Sequence, residues 1–154
     1  WVANINACDP DQYLTEFGIL YNWYAVDDPR NICPAQWSTP SEFDWNTLSA
    51  HAQSIDSINP SSLLKSHSGW HSEPGDYGNG IDYFGFNGLP SGRRYWLGWF
   101  GGAGLFAPWW TSDEAELNSD YARSFQLHTS YATVNDGDYN KNGGRPIRCI
   151  KDTE

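Results

Sequence analysis

The stretch from Ile81 to Thr111, IDYFGFNGLPSGRRYWLGWFGGAGLFAPWWT, limits what this chain can fold into more than any other. Nine of its 31 residues are glycine or proline, and ten are Tyr, Phe or Trp. Glycine and proline each weaken a regular helix. Rings in that number carry too much apolar surface to belong to a solvated linker. A compact, glycine-turned loop region folded over its own aromatic side chains satisfies both facts.

At 154 residues the chain is long enough for a single core. It reads as an N-terminal arm, residues 1–16, followed by one domain, 17–154. The hydrophobic fraction is a modest 39%, so the aromatic residues must do packing usually given to Leu, Ile and Met. Met is absent and the sequence opens at Trp1, which reads as a processed product or an excised domain and points toward export. No window approaches 18 consecutive apolar residues, so membrane insertion is not expected. Nine basic against nineteen acidic residues give a net charge of −10. That balance repels nucleic acid and disfavours an anionic lipid surface. It suits bound calcium, which takes oxygen ligands in number.

Cys8, Cys33 and Cys149 lie far apart with no C-x-x-C pair, so zinc spacing is absent. In an exported protein two would normally pair. Cys33–Cys149 is the favoured disulfide, tying an early loop to the last strand and leaving Cys8 free or linked to another chain. Three buried free thiols are the alternative.

In chain order, residues 1–16 are polar and irregular, with Asp9-Pro10-Asp11 as a turn signal. Phe17 to Val26 is rich in aromatic and branched residues and predicts a first strand or strand pair. Thr39-Pro40-Ser41-Glu42 is a helix start, with Thr39 as cap and Glu42 closing a capping box. A helix over about Pro40 to His51 follows, with Phe43, Thr47, Leu48 and Ala52 along one face. Asn59-Pro60-Ser61-Ser62 starts a second, short helical turn through Leu64. Ser66 to Gly80 is turn chemistry. Tyr121 to His128 alternates as a strand with one wet face, Asn135 to Gly144 is a polar hairpin tip, and Arg145 to Lys151 is the closing strand. Helices early and strands at both ends give an α+β fold whose terminal strands pair in a small antiparallel sheet.

The order of motifs resembles the Fibrobacter succinogenes major paralogous domain. The matching pieces are Leu20-Tyr-Asn-Trp-Tyr-Ala-Val26, Ile32-Cys-Pro-Ala-Gln-Trp37 with Thr39-Pro-Ser-Glu-Phe-Asp-Trp45, and Leu64-Lys-Ser-His-Ser-Gly-Trp70. Asp82-Tyr-Phe-Gly-Phe86, Leu89-Pro-Ser-Gly-Arg-Arg94, Trp109-Trp-Thr-Ser112 and Ile147-Arg-Cys-Ile-Lys-Asp152 continue the order. The segment before Gly18 lies outside the resemblance. Gln36 and Ser38 stand where glycine and histidine are common, and Arg145-Pro146 replaces the usual Gly-Phe-Ser approach to the last strand. The resemblance implies bacterial surface or secreted modules, with a fold like that of C-type lectins and formylglycine-generating enzymes. It implies no activity, because such a fold hosts binding and oxidation alike.

Formylglycine-generating enzymes use two neighbouring cysteines near the C-terminal end. After Cys33 this chain has only Cys149, so an oxidase is the remote reading. His51, His67, His71 and His128 sit in no catalytic frame. Asp138-Tyr-Asn-Lys-Asn142-Gly143 copies the first half of an EF-hand loop, but its twelfth position is Cys149 where Glu is required. A looser calcium cage from Asp136, Asp138, Asn140 and Asn142 is the candidate metal set, weighed against a solvated hairpin tip. No cofactor is required. Trp23, Trp37, Trp45, Trp70, Trp109 and Trp110 match family positions that look structural and are expected in the core. Trp96, Trp99 and Phe100, flanked by glycines, are expected on a loop as binding residues. The polar surface between Asn118 and Tyr139 adds Tyr121, Arg123, His128, Tyr131, Asn135 and Tyr139.

The expected function is a non-enzymatic extracellular bacterial surface module for adhesion or assembly, as a filament subunit or a repeat of a larger protein. Its expected partners are copies of itself or other surface proteins. The alternative is a lectin-like receptor for glycans or proteins.

Overall fold

The computed structural model describes residues 10–153. The arm residues before Pro10, Cys8 among them, lie outside the described residues. The remainder of the arm is not irregular: Pro10–Phe17 forms a helix, α1, with proline at its first position. The chain then reaches Trp37–Ser38 (β1), Glu42–Ile55 (α2), Arg93–Arg94 (β2), Phe100–Gly101 (β3), Phe106–Glu114 (β4), Tyr121–His128 (β5), Asn135–Asn140 (β6) and Ile150–Lys151 (β7). The fold is α+β, with one main helix and three small antiparallel sheets ordered β1-β7, β2-β3 and β4-β5-β6. No described helix is long and apolar enough to cross a membrane.

The main helix starts two residues later than the Thr39 signal suggests. Ser41 is the cap: its Oγ accepts from the Asp44 amide at 3.3 Å, and Asp44 accepts from the Ser41 amide at 2.8 Å. Glu42 is therefore free of the box and turns to Arg123, while Asp113 of β4 accepts from the Glu42 amide at 2.6 Å. A carboxylate at that end satisfies an orphan N–H and faces the positive end of the helix dipole. The shift also rotates the buried face. Trp45, Leu48 and Ala52 pack inward, whereas Phe43, expected there, is 77% exposed. The short turn from Asn59 is present as a 3-10 helix, Pro60–Leu63.

Phe17 to Val26 forms no strand. It contributes one bridge, Tyr21 to Arg145, and a 3-10 turn, Trp23–Ala25. In the closing segment only Ile150 and Lys151 form a strand, paired with β1, while Arg145 makes the bridge to Tyr21. The chain ends still meet, because the Tyr21 and Arg145 amides exchange hydrogen bonds and Ile147 packs against the Trp23 cluster. The Cys33–Cys149 disulfide is formed across 116 residues of sequence. Tying a loop of that length lowers the entropy of the unfolded chain.

The three-stranded sheet organises everything else. The aromatic stretch is less of a loop than its composition suggests, since it contains β2, β3 and most of β4. Asn135 to Asn140, expected as a hairpin tip, is a strand in register with β5. Neighbouring residues point to opposite faces of a strand, and the clusters follow that rule. Ala107, Trp109, Phe125 and Leu127 pack toward α2, while Trp110, Ala122 and Tyr139 pack with Trp23 on the other face. Trp37 departs from the expected core set and is 39% exposed.

Candidate functional site

The site lies on the face of the sheet away from α2, where the β2–β3 hairpin folds across β4 and β6. Gly102 makes that crossing feasible. Its φ is +83°, and a Cβ there would stand 2.0 Å from the Phe106 ring. The hairpin backbone is pinned on both sides. The Arg94 amide donates to Gly144 at 2.9 Å, the Gly144 amide donates back at 2.8 Å, and the Tyr95 amide donates to Trp99. At the tip, Trp96, Leu97, Trp99 and Phe100 are 57%, 67%, 52% and 44% exposed. Trp99 is braced by stacking on Tyr95, with ring centroids 3.5 Å apart.

Beneath the hairpin, cations and rings alternate. The Arg93 guanidinium lies 4.5 Å from the Phe106 ring centre, 4.4 Å from Tyr95 and 5.5 Å from Tyr139. The Arg145 guanidinium lies 3.7 Å over Tyr139 and 4.8 Å over Trp110. Lys141 stands 4.4 Å over Trp23 and donates to Glu114 at 2.7 Å. Cation–π attraction explains how such groups pack here, but it does not replace a counterion. Arg145 is 3% exposed, and among the described residues its Nε and Nη1 have no hydrogen-bond partner. Burial, and then the charge of Arg93, push its pKa from 12.5 down to about 9. The Arg93 Nε is also buried without a partner, while its Nη2 donates to the Tyr95 hydroxyl at 2.9 Å. A cavity of about 210 Å³ opens beside these groups, lined by both arginines together with Arg94, Tyr95, Trp96 and Tyr139, and by Tyr121, Asp138, Asn140 and Gly143.

Of the side chains singled out from sequence, Trp96, Tyr121, Tyr139, Asp138 and Asn140 therefore converge on one cavity. Trp99 and Phe100 sit beside it on the hairpin. Arg123 is committed elsewhere: it donates to Glu42 at 2.6 and 3.2 Å, to Asp138 at 3.0 Å and to Asp136. Those bonds, chiefly the one to Glu42, raise its pKa above the ordinary range. The candidate calcium ligands divide accordingly. Asp136 and Asp138 face Arg123, and Asn140 accepts from the Asn142 amide and side chain at 3.0 and 3.2 Å. Among the described residues no group of three or more His, Cys, Asp or Glu side chains is placed to hold a metal. His128 lies tilted against Tyr131 at 4.7 Å and stacks on Phe106 at 6.0 Å, and the Asn135 side chain donates to Thr133. None of these three lines the cavity.

Sequence reasoning did not select Arg93, Arg94, Tyr95 or Arg145. The signal for Arg145 was its place in the Arg-Pro departure before the last strand.

The model of the Fibrobacter succinogenes major domain matches residues 2–151. The match spans nearly the whole chain, including most of the segment before Gly18 in which no motif stood out. No curated protein and no solved structure matches.

Proposed function

We propose, starting from the fact that the chain belongs to the Fibrobacter succinogenes major domain family, that it is a non-enzymatic extracellular bacterial surface module for adhesion or assembly. The observation that carries this reading is the hairpin tip, which holds Trp96, Leu97, Trp99 and Phe100 in solvent on a backbone fixed at its base. Clustered exposed rings on a rigid support are what a protein contact uses as anchors. The lectin-like architecture inferred from motif order belongs with this reading.

Sedimentation velocity across a concentration series, with electron microscopy of the same material, tests it. Self-association is expected, and Trp96→Ser combined with Leu97→Ser should weaken it tenfold or more. A wild-type chain that stays monomeric and adheres to no bacterial surface material would refute it. The second reading, a lectin-like receptor, is favoured by the ring-walled cavity. A glycan array with and without EDTA separates the two, since assembly alone gives no selective hit.

A further inference from the structure

Two guanidinium groups share one tyrosine ring on the inner side of the cavity, and among the described residues neither has a carboxylate bonded to it. Asp138 is the one acidic side chain among the described lining residues, and Arg123 already holds it at 3.0 Å. Burying like charges together without a counterion is expensive, and buried polar groups are ordinarily satisfied. A cavity walled by them is a place for an anion. Arginine favours planar oxyanions such as carboxylate, which its fork of donors can grip in two places.

The remaining walls describe the body that carries the charge. The half-exposed Trp96 presents a ring, Tyr139 lines the wall with Arg145 behind it, Tyr95, held between Trp99 and Arg93, adds its phenol group, and Asn140 adds an amide. Ring faces pack against the apolar side of a pyranose, and hydroxyl and amide groups meet its oxygens. A peptide would look for a free strand edge. The Arg94 amide and carbonyl are both taken by Gly144, and the Tyr95 amide by Trp99.

We propose that the cavity between the β2–β3 hairpin and β6 binds the carboxylate of an acidic sugar of the hexuronate class, with Arg145 and Arg93 facing the charge and Tyr139 and Trp96 against the ring. This rests on the receptor reading above and names its ligand class. Arg145 is the determinant of acidic over neutral sugars, and Trp96 of sugar over bare carboxylate.

Titration calorimetry on the whole chain at neutral pH and low salt tests it, with glucuronate, glucose, acetate and the dipeptide glycyl-tyrosine as probes. Glucuronate should bind at least tenfold more tightly than glucose or the dipeptide, and more tightly than acetate. Arg145→Met should lose at least tenfold toward glucuronate while keeping its circular dichroism and melting transition. Should that variant fail to fold, Trp96→Ala, at an exposed position, serves instead: it should weaken glucuronate severalfold and leave acetate unchanged. Equal binding of glucuronate and glucose, tighter binding of the dipeptide, or an unaltered Arg145→Met would overturn the proposal. Self-association is read separately by sedimentation of Leu97→Ser alone, since Leu97 is exposed at the hairpin tip and does not line the cavity. Loss of sugar binding with association intact sinks the ligand assignment alone.

Discussion

The two faces of the β4-β5-β6 sheet are built from the same kinds of ring and do different work. Toward α2, Trp45 stacks on Trp109 and Phe125 with centroids 5.4 and 5.8 Å apart, and Phe86 meets both tryptophans edge-on. Two cations border that cluster, Arg148 3.9 Å over Phe86 and Lys65 5.0 Å over Trp70, but neither stands between the stacked rings. On the other face, Phe106, Tyr95, Tyr139, Trp110 and Trp23 are separated by Arg93, Arg145 and Lys141. The first arrangement removes apolar area from water, which drives folding. The second places charge in a low-dielectric setting, where desolvation opposes the attraction to the rings. One face therefore carries stability, and the other keeps groups that stability alone would not select. The difference follows from one-residue alternation along β4, which sends Trp109 to one side and Trp110 to the other.

The sharpest way to break the comparison is to remove a ring from the α2 side. Trp109→Ala should cost about 3–5 kcal/mol in urea unfolding, because the stacked neighbours cannot close the space. A loss below about 1 kcal/mol would mean that the α2 face is not the stabilising one.

Lys65, on the α2 side, sharpens the contrast. It is fully buried with no partner at Nζ among the described residues, 5.0 Å over Trp70, and burial lowers its pKa from 10.5 to about 8. The unfolded chain then holds more protons than the folded one between those values, so this group makes stability rise with pH through that window. At neutral pH its charge opposes folding in full, and Lys65→Met should stabilise by an amount on the order of 1–3 kcal/mol. Unfolding measured from pH 7 to 10 checks this: the advantage of the variant should shrink as pH rises. An advantage that grew with pH would reverse the sign of the argument.

A smaller effect belongs to the edge of the sheet. Arg123 holds Glu42, Asp136 and Asp138, with partners 38% to 48% exposed. Solvent screens such a network, so Arg123→Gln should cost about 1 kcal/mol and less in high salt. A salt-insensitive loss of several kcal/mol would place Arg123 among the core residues.

The legible parts of this chain were those whose signals are local. Ser41 and Asp44 formed a capping box within the stretch read as a helix start, although Thr39 and Glu42 offered a competing box of the same spacing two residues earlier. What decides between them is Asp113 and Arg123, both distant in sequence. Glycines around Trp96 and Trp99 did mark exposed rings. The Cys33–Cys149 pairing also formed as favoured. By contrast Asn135-Asp-Gly-Asp-Tyr-Asn140 has the chemistry of a turn, and β5 makes it a strand by pairing six of its residues. Phe17 to Val26 shows the converse, with good strand residues used as a turn around the buried Trp23. The cavity was half visible, through Trp96, Tyr121, Asp138, Tyr139 and Asn140. Its arginines, Arg93, Arg94 and Arg145, were not, since their meeting depends on the crossing of the hairpin over the sheet.

If Arg145 is kept for what enters the cavity and not for the fold, the fold tolerates its replacement. Urea unfolding of Arg145→Met against the parent chain at neutral pH measures this directly. The expected result is a variant within about 1 kcal/mol of the parent, or above it, as when a buried charge gives way to an apolar side chain of similar length. A loss of about 3 kcal/mol or more, the size seen when a buried ionic contact is broken, would contradict it.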